Sequence, residues 1–183
     1  MKIKILLFII YLILFSFNSI AQNSERKFKI HTLAFYNLEN LFDTINDVNK
    51  NDEASPIMEI KFNRSGIYKQ KIANMAKVIS EIGYDVTNRP PTIVGICEVE
   101  NRKVVEDLIS DEKLKNYNYG IVHYESPDDR GIDVGLIFNK DVFKVKNSNS
   151  HDVFITGNNS SKRRNTRDQL VVSGLLDGEL IHI

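Results

Sequence analysis

Apolar positions divide the chain into stretches of different period. Residues 5–15 are apolar without a break; Lys2 and Lys4 precede them, Ser16, Asn18 and Ser19 dilute the next few positions, and Ser19 and Ala21 flank Ile20. A basic start, an apolar centre and a small-x-small exit are the parts of a secretory signal peptide. The run is shorter than the ~20 apolar residues a membrane span needs. The pattern predicts a signal over residues 1–21, cleaved after Ala21, and a mature chain over 22–183 with no stable membrane anchor. Residues 29–36 then read as a first, buried strand, dense in β-formers. Residues 43–65, rich in Asn, Asp, Ser and Lys, have no period and predict a long loop, a feature usually functional or mobile in a small domain. From Gly66 the spacing becomes helical through Tyr68, Ile72, Met75, Ala76, Ile79 and Ile82, with Lys69, Lys71, Lys77 and Glu81 on other faces. Gly83 stands where a C-terminal cap belongs.

After the hard stop at Asn88, Arg89, Pro90 and Pro91, residues 92–99 form a continuous apolar run typical of a central strand. Asn101 is placed to cap a short helix carrying Val104, Val105, Leu108 and Ile109. Residues 117–124 predict a strand and 126–131 a turn, and Ile132, Val134, Leu136 and Phe138 alternate with period two. Short β-segments are expected near 143–145 and 153–155, broken by the Asn/Ser-rich stretches 147–150 and 158–161. Residues 169–175 and 179–183 flank Asp177-Gly178, a strong hairpin signal. No internal repeat is visible. Helices early and strands later in one module predict an α/β layered domain with a mixed sheet. The last apolar segment stops at Ile183 without a polar tail, which suggests a chain cut inside its domain.

Composition narrows the function classes. With 24 basic and 24 acidic residues the chain has no global basic excess to advertise nucleic-acid binding. Losing Lys2 and Lys4 with the signal leaves 22 basic against 24 acidic residues. Cys97 is the only cysteine, so neither an intramolecular disulfide framework nor a cysteine-rich zinc site is available. Export without a disulfide fits a bacterial envelope protein, periplasmic or secreted. His31, His123, His151 and His182 have no metal-like spacing, so zinc has no support.

Two strand ends carry candidate chemistry. Asn37 follows the first apolar strand, where polar side chains face a crevice in open sheets; the alternative is a turn-forming Asn. Glu98 ends a segment too apolar for a surface strand, so its carboxylate must be paired with an arginine or bound to metal. Glu100 would share its face only if the strand continued, and a helix starting at Asn101 argues against that. Mg²⁺ takes one or two carboxylates plus waters and substrate phosphate, which a strand-end Glu beside a strand-end Asn would suit. Arg130 and Asp133 lie in a charged turn, and Lys162, Arg163, Arg164 and Arg167 form a basic cluster, either a solvated loop or an attractor of phosphate beside an oxyanion site.

Taken in order, residues 35–43, 93–102, 126–134 and 166–168 resemble the endonuclease/exonuclease/phosphatase superfamily, metal-dependent phosphodiesterases of the DNase I-like fold, and most resemble its exported bacterial members. The resemblance implies a four-layer α/β sandwich with two mixed β-sheets. It implies that Asn37 orients phosphate and metal, that Glu98 ligates the metal, and that Arg130, Asp133 and Arg167 line the cleft as catalytic residues. The implied cofactor is Mg²⁺, with Mn²⁺ or Ca²⁺ as alternatives. The implied reaction is in-line attack of water on a phosphodiester or phosphomonoester. The substrate is a phosphate ester, with nucleic acid, phospholipid head groups and small esters all open, and no protein partner is implied. The family's later motifs, a His-bearing strand, an Asp-x-Asn segment and a terminal Asp-His pair that supplies the base, are not seen after residue 168. The chain thus matches the N-terminal part of such an enzyme, and by itself is expected to be inactive. The alternative is a non-catalytic envelope binding protein on the same scaffold.

Overall fold

The computed structural model describes Ile3 and residues 28–183, apart from positions 49, 51, 54 and 157–161. The expected signal peptide, Ile3 aside, lies outside the described residues, as does the Asn/Ser-rich stretch at 158–161. Among the described residues no helix is long and apolar enough to cross a membrane.

Four strands form the first sheet: β1 (Leu33–Leu41), β2 (Ile93–Val99), β3 (Tyr119–His123) and β4 (Asp133–Asn139). Their order is β1-β2-β4-β3, with β1 parallel to β2 and the other pairs antiparallel, so the sheet is mixed. The chain crosses from β1 to β2 through α1 (Pro56–Glu59), α2 (Arg64–Glu81) and α3 (Tyr84–Thr87), and α4 (Arg102–Ile109) follows β2. The helical period of α2 buries Ile72, Met75, Ala76 and Ile79. These pack with Val104, Val105 and Leu108 of α4 against Leu38, Val94, Ile96, Val99 and Ile137 of the sheet. At Gly83 the backbone turns left-handed, φ 67°, a conformation that favours glycine. Asn101 caps α4 as expected, its Oδ1 accepting from the Val104 amide at 3.0 Å.

The opposite face of this sheet meets a second one, built from β5 (Phe143–His151), β8 (Gln169–Leu176) and β9 (Glu179–His182) in the order β5-β8-β9. Ile93, Val122 and Leu136 pack there with Phe143 and Val172. The Phe138 and Phe143 rings meet edge to face, 5.7 Å apart. A two-residue ladder, β6 (Ile155–Thr156) with β7 (Arg163–Arg164), lies between β5 and β8 in sequence. Helices, mixed sheet and second sheet supply three of the expected four layers. The described strands of the second sheet are all antiparallel rather than mixed.

Three sequence expectations need correction. The first strand begins at Leu33 and runs on to Leu41, so Asn37 lies inside it rather than after it. The Asn/Ser-rich stretch 147–150 does not break a strand: β5 runs through it, pairing Asn147 with Ser173 and His151 with Gln169. As an edge strand it has a neighbour on one side only, so polar side chains alternate with half-buried ones at little cost. The long loop also holds the short helix α1, whose Ile57 packs with Phe42 and Ile132 in a small separate core.

Candidate active site

The site begins with a break in the β1–β2 ladder. Their register runs evenly to Asn37 opposite Cys97 and resumes only at Leu41 opposite Val99, leaving three residues of β1 against one of β2. Glu39 (φ 50°), Asn40 (φ 56°) and Glu98 (φ 61°) are all left-handed. Among the described residues the other non-glycine positions in that region are Asn63, Asn88, Asn118 and Asp177, types that tolerate it. Glutamate does not share that tolerance, and both left-handed glutamates fall at this one point. Such strain, at about 1–3 kcal/mol per residue, persists where the surroundings over-determine it and clusters at working sites.

The break takes Glu98 out of the alternation of β2. Its carboxylate is 3.6 Å from the Arg167 guanidinium and its side chain keeps 18% of its exposure. Beside it opens a cleft of about 650 Å³ lined by Asn37, Cys97, Arg167 and Asp168, with Phe35, Ile155 and Leu170 among its apolar walls. Phe35 lies so close over Gly95 that a Cβ there would meet the ring at 2.5 Å. Asn37 Oδ1 accepts the Glu39 amide at 2.7 Å, so the turn-forming and cleft-facing readings of this residue hold together. The Arg130 guanidinium grips Asp128 through two hydrogen bonds of 3.0 Å, and the Arg130 amide adds a third at 2.9 Å. Burial opposes ionisation of Asp128, but these hydrogen bonds prevail and hold its carboxyl below the usual carboxylate range. Asn165 reaches Asp129 at 3.0 Å and ties this turn to the segment bearing Arg167. The charge of Glu98 adds to that of Asp128 in favouring the protonated Arg130. Asn37 and Arg167 thus line the cleft, Glu98 pairs with Arg167 beside it, and Arg130 lies near enough to Glu98 for their charges to interact. Burial pushes the Cys97 thiol up despite Arg167 nearby, which leaves it protonated and no nucleophile.

Asp133 is not on the cleft wall where the resemblance put it. It is buried, with 1% of its surface exposed. Its Oδ1 accepts the Ser126 amide at 2.7 Å, and its Oδ2 faces His123 Nε2 at 3.2 Å, without hydrogen-bond alignment, and Lys50 Nζ at 3.9 Å. Asp133, the first residue of β4, stands opposite Val99, just past the break. His123, Glu125 and Asp133 bring their ligand atoms within 4.8 Å of one another, a possible metal-holding group that histidine spacing along the sequence does not reveal. Lys50, from the long loop, occupies the same surroundings: its ammonium bonds the Glu125 carboxylate and the Glu100 carbonyl oxygen, the latter at 2.9 Å.

Two donor sets can therefore be compared for a hard divalent cation. His123 and Asp133 keep 3% and 1% of their side-chain exposure and already face an ammonium. Glu98 is a partly exposed carboxylate next to the cleft residue Cys97, with one long contact to Arg167 of the cleft wall. The second fits a cation that keeps much of its hydration shell.

Sequence reasoning missed Glu100. The residue is 1% exposed, its Oε2 accepts the Asp43 amide at 2.7 Å, and its own amide donates to Leu41 O at 3.0 Å. Burial, with the charges of Asp43 and Asp52, raises its carboxyl from 4.5 to about 7, against the pull of that amide and of Lys50. A carboxyl raised on folding binds its proton more tightly in the native state, so stability is fully present below pH 4.5 and is lost as pH rises through about 7. Metal-free protein is expected to lose on the order of 2 kcal/mol to this group between about pH 5 and pH 8. Glu100→Gln is expected to flatten that loss in denaturant titrations at the two pH values. An unchanged slope would contradict the assignment.

A model of the endonuclease/exonuclease/phosphatase family matches residues 32–183. No curated protein matches the chain. Three solved structures are similar to it at low identity. The endonuclease/exonuclease/phosphatase from Bacteroides vulgatus is 16% identical with a TM-score of 0.45, over 81% of this chain and 48% of its own. ANGEL2, a 2',3'-cyclic phosphatase, is 13% identical with a TM-score of 0.45, over 80% of this chain and 37% of its own. A humanized D. rerio TDP2 carrying 14 mutations is 15% identical with a TM-score of 0.43, over 81% of this chain and 43% of its own. The chain spans less than half the length of each.

Proposed function

Because the chain belongs to the endonuclease/exonuclease/phosphatase family, we propose that it carries the metal- and phosphate-binding part of an exported, metal-dependent hydrolase of phosphodiester or phosphomonoester bonds. The observation that carries this reading is the break that sets Glu98, in a left-handed conformation, 3.6 Å from Arg167 of the cleft wall. Export rests on the signal-like pattern of residues 1–21.

Glu98 would hold the cation, Mg²⁺ or in its place Mn²⁺ or Ca²⁺, with Asn37 beside it. A cation bound there supplies Lewis-acid stabilisation of charge on the phosphoryl oxygens. Arg167 sits 3.6 Å from Glu98, near enough to meet a phosphate brought to the same carboxylate. Arg130 is held as a rigid fork by Asp128 while its side chain keeps 59% of its exposure, so its outer edge is available to an anion. Phe35, Ile155 and Leu170 give the cleft an apolar wall beside Asn37 and Arg167. With Cys97 protonated, water is the nucleophile. The resemblance assigns its general base to the family's later motifs, so Asn37, Glu98, Arg130 and Arg167 bind and stabilise charge rather than remove the proton.

The test is hydrolysis of bis(p-nitrophenyl) phosphate and p-nitrophenyl phosphate by the full-length protein. EDTA is expected to abolish turnover and added Mg²⁺ or Mn²⁺ to restore it. Turnover indifferent to EDTA would contradict the reading, and phosphate binding without any turnover would favour the non-catalytic alternative.

A further inference from the structure

Lys71 falls among the solvent-facing charges of the helical pattern, yet its ammonium turns inward to β1. It donates to the carbonyl oxygens of Glu39 and Asn40, the latter at 3.0 Å. Those two residues are the left-handed pair of β1, and they fall in the gap where the ladder with β2 lapses. Carbonyls turned out of a ladder need another donor, and a single ammonium serves both. Its stem starts from a fixed platform, since the neighbouring Ile72 and Met75 of α2 are buried in the core. The same turn holds Asn37, whose Oδ1 receives the Glu39 amide at 2.7 Å. Burial lowers the Lys71 ammonium below its usual range, and Glu39 and Glu98 only partly counter it.

We infer that Lys71 is a positioning residue for the cleft: it clamps the Glu39–Asn40 step and thereby sets Asn37 beside Glu98. The inference rests on the metal- and phosphate-binding reading of these two residues. Lys71 itself touches neither Asn37 nor the cleft, so its effect passes through the backbone of β1. An arginine keeps the charge and the donors, whereas a methionine keeps the stem and loses both.

The experiment compares the full-length wild type with Lys71→Met, Lys71→Arg and Glu98→Gln, reading two quantities without substrate. The first is hydrogen exchange at the Glu39 amide in metal-free protein, and the second is Mn²⁺ affinity by electron paramagnetic resonance. Lys71→Met is expected to speed Glu39 exchange about tenfold or more while the amides of α2 keep their protection. It is expected to weaken Mn²⁺ binding by about ten- to a hundredfold, with Lys71→Arg recovering most of both. Wild-type exchange and affinity in Lys71→Met would overturn the inference, and so would protection lost evenly along α2 and β1. If the wild type binds no Mn²⁺, or Glu98→Gln binds it equally well, the metal reading itself fails. Exchange at Glu39 then decides alone whether Lys71 holds the step.

Discussion

Glu98→Gln in the full-length protein is expected to lower phosphodiester turnover by about a hundredfold or more and to remove most of the Mn²⁺ affinity. Glutamine keeps the size of the side chain and one carbonyl oxygen, but not the negative charge that a hard cation selects. The loss should be separable from folding. The only ion pair of Glu98 among the described residues is with Arg167 at 3.6 Å, both partly exposed, and such pairs contribute at most about 1 kcal/mol. Thermal unfolding of the metal-free variant should therefore stay within a few degrees of the wild type, while activity collapses. Undiminished turnover in a folded Glu98→Gln protein would remove Glu98 from the site.

Asp133→Ala is expected to act in the opposite way, on stability first. The carboxylate is buried: its Oδ1 accepts the Ser126 amide, and its Oδ2 lies near His123 Nε2 and the Lys50 ammonium without a hydrogen bond to either. Removing it strands the part-buried Ser126 amide and leaves the 20%-exposed Lys50 side chain with Glu125 as its only carboxylate partner among the described residues. Leaving a donor unsatisfied costs about 1–3 kcal/mol, which in a domain of this size lowers the unfolding temperature by roughly 5 °C. Asp133→Asn keeps an acceptor for Ser126 and should cost less. A loss of Mn²⁺ affinity in Asp133→Ala without loss of stability would instead make His123, Glu125 and Asp133 the metal site.

Much of the scaffold is written in local patterns. The run at 92–99 becomes β2, the helical spacing from Tyr68 to Ile79 becomes the buried face of α2, Asn101 caps α4, and Asp177-Gly178 turns β8 into β9. In each case the physical cause, burial of one face or a cap on an open helix end, acts within a few residues. The polar continuation of β5 past Val145 and the cationic strand β7 were not legible, since strand pairing rather than a hydrophobic period holds them.

The site was legible in its identities and not in its geometry. Asn37 and Glu98 stand out as polar residues at the ends of apolar runs. The left-handed break that aims Glu98 depends on how three residues of β1 fit against one of β2, and no spacing within either strand announces it. Lys50 and Lys71 do not stand out because each reads as an ordinary surface charge until the long loop and α2 fold against the strand ends, and Glu100 is set aside because the helix starting at Asn101 ends the strand's alternation. The Asn in left-handed Asn40 is the one weak signal that could have been used.

The central claim is that a divalent cation binds at Glu98, at the cleft, and not at the histidine-bearing group beneath it. Anomalous diffraction from Mn²⁺-soaked crystals of the full-length protein tests this directly. The expected result is a peak about 2.1 Å from a Glu98 carboxylate oxygen, on the Arg167 side, with Lys50 still against Glu125 and Asp133. A peak among His123, Glu125 and Asp133, with Lys50 displaced and Glu98 bare, would contradict it.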